Sequence, residues 1–143
     1  MDEEIRSFLL RHLKSVQDND IATYRDTTAA ELSLYEWWVT PHRIEGLPFH
    51  EFMMGANALR GTIFGSEARG PAETRFDLAN LSIQRYGDAA VASYTLLIST
   101  ALPEGVQVVS HNESRLIVRQ EGKWKVVHVH KSPAWPAPHV QPK

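Results

Sequence analysis

Residues 112–132 constrain the fold more than any other stretch of the chain. They read Asn-Glu-Ser-Arg-Leu-Ile-Val-Arg, then Gln-Glu-Gly-Lys, then Trp-Lys-Val-Val-His-Val-His-Lys-Ser. Two β-rich runs flank Glu121-Gly122, which is a strong hairpin signal. With those two residues as the loop, Arg119 pairs with Trp124, Ile117 with Val126, Arg115 with His128 and Glu113 with His130. Alternation along a strand then puts Glu113, Arg115, Ile117, Trp124, Val126, His128 and His130 on one face. Ser114, Leu116, Val118, Val127 and Val129 take the other. An acid, a guanidinium and two imidazoles on one face, against mostly apolar groups on the other, give the sheet two different jobs. A bulge at Gly122 would slip this pairing by one residue.

The remaining chain supplies partners for that hairpin. Residues 2–17 predict a helix, with Ile5, Phe8, Leu9, His12, Leu13 and Val16 on one face and Asp2, Glu3 and Glu4 at the positive end of its dipole. Asp18-Asn19-Asp20 breaks the pattern and caps a short second helix near 20–27. The aromatic run 31–40 predicts a strand, with Glu36 and Trp38 on one face and Tyr35 and Trp37 on the other. A loop at 41–46 leads into a third helix reaching about Arg60, with Pro48 in its first turn and Phe49, Phe52, Met53 and Ala56 as its apolar stripe. Residues 61–73, punctuated by Gly61, Gly65, Gly70 and Pro71, predict a loop at a site mouth. Strands follow at 74–86, 89–101, 106–119 and 123–131. Helices segregated from an antiparallel meander make an α+β fold: a strongly curved antiparallel sheet packed on three N-terminal helices. The expected organisation is one domain over 1–133 and a Pro-rich tail over 134–143, which cannot continue the sheet.

Composition excludes several classes of function. The 143 residues carry a formal charge of −2, which favours neither nucleic acid nor an anionic membrane. There is no cysteine, so disulfides and thiolate chemistry are absent. No apolar run reaches the roughly 18 residues of a membrane span, and the acidic start lacks a signal-peptide pattern. Cytoplasmic is therefore the default location.

The run 38–52, with Gly46-Leu47-Pro48-Phe49-His50, resembles the association domain of calcium/calmodulin-dependent protein kinase II. So do Glu113-Ser114-Arg115, Gly122-Lys123-Trp124 and Val127-His128-Val129-His130-Lys131-Ser132, and Tyr94 fits as well. The resemblance spans 2–132. That family lies in the nuclear transport factor 2-like (cystatin-like) superfamily, with SnoaL-like polyketide cyclases and ketosteroid isomerases as relatives. What the resemblance implies is a cone with a deep pocket and an oligomerising outer sheet. It also implies several pocket arginines, of which Arg115 matches one, while Leu96 stands where another is expected. The chain has no Gly-rich nucleotide loop and no His-Arg-Asp catalytic loop, so the expectation is a free-standing association-domain homologue.

The candidate site is Arg115, Glu113, His128, His130, Tyr94, Trp38 and His50, with His111 as an outer member. Phe49, Phe52, Met53, Leu96, Ile98, Ile117 and Trp37 or Trp38 are the expected walls. A guanidinium in apolar walls is a carboxylate clamp, so the expected ligand is a small carboxylate. A histidine beside it titrates near neutral pH. The sequence ranks a rigidifying polar network above ligand binding, and ligand binding above isomerase- or cyclase-type catalysis with Tyr94 and Glu113 as the acid–base pair. A metal site of His111, Glu113, His128 and His130 ranks last. No cofactor is implied. The partner expected is a second copy of the chain, a dimer first, through an apolar outer face of Ser93, Thr95, Leu97, Ser99, Leu116, Val118, Val127 and Val129.

Overall fold

The computed structural model describes residues 1–52 and 74–134. The loop expected at 61–73, Met53, the continuation of the third helix and all but the first residue of the Pro-rich tail lie outside them. Helix α1 (Glu3–Gln17) starts where Asp2 accepts a hydrogen bond from the Ile5 amide at 3.0 Å, and Glu3 and Glu4 occupy its first turn. Its buried stripe is Ile5, Leu9, His12, Leu13 and Val16. Asp20 caps α2 (Ile21–Thr27) by accepting from the Thr23 amide at 3.2 Å. These are the two caps that short polar residues before an apolar stripe predict.

Strands β1 (Thr28–Tyr35), β2 (Ile44–Glu45), β3 (Thr74–Tyr86), β4 (Ala89–Leu102), β5 (Gly105–Gln120) and β6 (Lys123–Pro133) form one sheet in the order β2-β1-β6-β5-β4-β3. The four long strands are the expected antiparallel meander, and β1 closes on β6 in parallel. The early strand ends at Tyr35 rather than continuing to Thr40, because residues 37–39 turn. The expected 41–46 loop contains the two-residue β2. Inward side chains of β1, β4, β5 and β6, among them Leu32, Leu34, Ala92, Tyr94, Leu96, Ile98, Ile117, Val126 and Val129, meet the α1 stripe in one core.

A third helix begins at Leu47 and is described through 47–52. It corrects the expected stripe. Leu47 and His50, one turn apart, face inward, whereas Phe49 and Phe52 are 55% and 72% exposed. Burial follows the helix phase that brings His50 to a buried partner, not the two phenylalanines.

The hairpin shows the second correction. Glu121 and Gly122 are the two-residue loop, both at positive φ (51° and 79°), and Arg119 pairs with Trp124 and Ile117 with Val126. The next pair is Leu116 with His128, so Val127 is an extra residue in β6. Beyond this bulge Arg115 faces Val129, Ser114 faces His130 and Glu113 faces Lys131.

Candidate functional site

The bulge decides which side chains of β6 reach the interior. Val129 and Lys131 point in, and His128 and His130 point out. Glu113 and Arg115 of β5 are buried, 2% and 3% exposed, and Tyr94 of β4 lies beside them. Tyr94 donates to Glu113 Oε1 at 2.7 Å. Arg115 Nη1 donates to both the Tyr94 hydroxyl and Glu113 Oε1. His111 Nε2 donates to Glu113 Oε2 at 2.6 Å, so both carboxylate oxygens are occupied.

A second cluster continues from the first. Lys131 Nζ lies 2.9 Å from Glu36 Oε2 and 3.8 Å from Glu113 Oε2. Glu36 also meets His50 Nε2 at 3.0 Å, and the other ring nitrogen of His50 meets the Tyr24 hydroxyl at 2.6 Å. Trp38 lies under the Lys131 ammonium, 5.0 Å from nitrogen to ring centre. Trp37 and Trp38 cross each other at 4.6 Å, and both contact His111. Two carboxylates and two cations thus balance in an interior where unpaired charge is costly.

Electrostatics lock this state. Burial alone would raise the Glu36 carboxyl, but Lys131 and His50 outweigh it and hold it at about 2. Burial opposes ionisation of Glu113 too, and Arg115, Lys131 and the His111 hydrogen bond overcome it, leaving that carboxyl well below the ordinary range. Burial pushes the Tyr94 phenol well up. Glu113 is therefore a fixed anion and a poor general base. Among the described residues, Arg115 Nε and Trp38 Nε1 are buried donors with no hydrogen-bond partner.

Of the residues expected at the site, Arg115, Glu113, Tyr94, Trp38, His50 and His111 come together. His128 and His130 do not: the extra Val127 rotates them to the outer face. There His128 Nδ1 meets Ser33 Oγ at 2.7 Å, and the Tyr35 ring lies 5.1 Å from His130. His128 also lines an open groove of ≈ 690 Å³ with Tyr35, Arg43 and Glu45. The four-residue metal set is split between the two faces by the same bulge. Lys131 and Glu36 were missed. Lys131 follows from alternation once the bulge is placed, and Glu36 shares the parity of Trp38.

A curved, mainly antiparallel sheet wrapped over N-terminal helices defines a nuclear transport factor 2-like fold. A nuclear transport factor 2-like protein of unknown function from Pseudomonas putida superposes with TM-score 0.75 at 21% identity, covering 95% of this chain and 88% of that one. The family model for the calcium/calmodulin-dependent protein kinase II association domain matches residues 1–135, and the chain belongs to that family. The kinase hub homology domain of Chlamydamonas reinhardtii superposes with TM-score 0.76 at 21% identity, covering 93% of this chain and 98% of that one. The S. rosetta kinase hub gives 0.74 at 21% identity, covering 92% and 95%. No curated protein matches the chain.

Proposed function

We propose that this chain self-associates, its outer sheet face contacting a second copy. One observation carries the reading. From 91 to 99 on β4, 108 to 118 on β5 and 128 to 132 on β6, the outward positions hold no Asp, Glu, Lys or Arg. In a chain that is 22% charged, a charge-free sheet face matches the depletion of charge at interface cores. The face is not the apolar one expected. Val129 turns inward, and Ser93, Thr95, Asn112 and Ser114 stand among Leu97, Leu116 and Val118. Membership of an association-domain family points the same way. Light scattering on the eluting protein tests it: a mass of two chains or more at micromolar concentration is expected, and the mass of one chain refutes it.

A second reading has its own observation, the unpartnered donors Arg115 Nε and Trp38 Nε1. The ligand this reading calls for is a small carboxylate with an apolar body, which accepts hydrogen bonds from these donors. The cluster is already charge-balanced, so an added anion is favoured where a proton is taken up with it, and binding is tighter at about pH 6 than at about pH 8. Titration calorimetry with benzoate and short fatty acids checks this, and equal affinity of Arg115→Ala rules the clamp out. An isomerase-type reaction is the weaker alternative, because Glu113, the carboxylate it would use as base, is tied to three donors.

A further inference from the structure

The stretch of the outer face without Asp, Glu, Lys or Arg carries two histidines, His128 and His130. They lie one residue apart on β6, and the Val127 bulge turns them outward. Leu116 and Ser114 of β5 oppose them on one side, and Ser33 and Tyr35 of β1 on the other. The carboxylates nearest in the fold are Glu31 on β1 and Glu45 on β2, which line the groove with His128. Both are engaged elsewhere: Arg43 holds Glu45 at 2.6 Å, and Gln120 donates to Glu31. Among the described residues, neither imidazole is ion-paired with a carboxylate.

We propose that self-association of this chain is acid-labile, and that His128 and His130 release it. The inference rests on the self-association reading above. An uncharged imidazole both donates and accepts a hydrogen bond, which is compatible with a polar contact free of Asp, Glu, Lys and Arg. Burying an imidazolium there without a counter-charge is unfavourable, and the same pair on a second copy adds like-charge repulsion. Association is thus strongest above the ordinary histidine pKa and is lost as pH falls through it. Burial, and then the neighbouring His130, place His128 below that ordinary value, so the loss continues below it. The interior does not share the switch through its carboxylates, since Glu36 stays ionised to about 2.

Sedimentation equilibrium of the full chain at about pH 8 and about pH 5, with far-ultraviolet circular dichroism as the fold control, tests this. The wild type should show an apparent dissociation constant at least about tenfold higher at the lower pH, with an unchanged spectrum. The double variant His128→Gln/His130→Gln should show the same constant at both. If the double variant is monomeric throughout, His130→Gln alone decides, and its pH dependence must be smaller than that of wild type. An oligomer whose constant is indifferent to pH overturns the proposal and leaves self-association standing. Loss of association in acid that persists unchanged in the variants also overturns it. A single-chain mass at about pH 8 overturns both readings.

Discussion

Arg115 and Glu113 show what a single buried pair contributes. Arg115→Ala leaves the Glu113 charge with Lys131, His111 and Tyr94 but no guanidinium, and should cost roughly 3–5 kcal/mol in urea unfolding. Arg115→Met combined with Glu113→Leu should cost less than Arg115→Met alone, because it removes the orphaned charge. Equal costs would show that the pair is not coupled. Glu36 gives a pH dependence of definite sign. Its folded-state pKa of about 2 lies below the ordinary 4.5. The stabilisation is therefore complete above the unfolded value and is lost as pH falls through the folded one. Its size is on the order of 3 kcal/mol. Unfolding free energies measured downward from neutral pH should fall less steeply in Glu36→Gln than in wild type.

Secondary structure was largely legible in the chain, and the reasons are local. Asp2 and Asp20 announce their helices as caps, and Asp2→Ala should lower the melting temperature in thermal melts. Gly87-Asp88 and Pro103-Glu104-Gly105 punctuate the meander, so its strands fall within a residue or two of expectation. What was illegible depends on tertiary partners. Nothing in Lys-Val-Val-His-Val-His marks Val127 as the extra residue. The selection is made by burial, which places Val126, Val129 and Lys131 inside together. Phe49 and Phe52 mislead for the same reason, since the helix phase is set by Glu36 and Tyr24 reaching for His50. Half of the site, Glu113, Arg115 and Tyr94, follows from alternation alone. Lys131 requires the bulge, and Glu36 requires the tertiary contacts that bring it to Lys131 and His50.

At the scale of the molecule the two sheet faces make opposite predictions for the same substitution. Leu116→Asp, on the 38% exposed outer face, should abolish association and leave the circular dichroism spectrum intact. Val129→Asp, 2% exposed inside, should instead unfold the chain, because its carboxylate is buried without a cation of its own. A Val129→Asp protein that stays folded and merely loses mass by light scattering would place Val129 outside after all. Val127 also sets a problem in time. A hairpin that zips from its loop meets Leu116 with Val127 before it meets Leu116 with His128, and the regular ladder is the nearer option for a growing pair of strands. That ladder would bring His128 and His130 inward and leave Lys131 stranded in solvent, so the native arrangement is chosen only when Glu36 and Glu113 arrive to claim the ammonium. Refolding should therefore include a re-registering phase slower than the roughly 1–10 μs of hairpin closure, and deleting Val127, which keeps both flanking registers, should remove it.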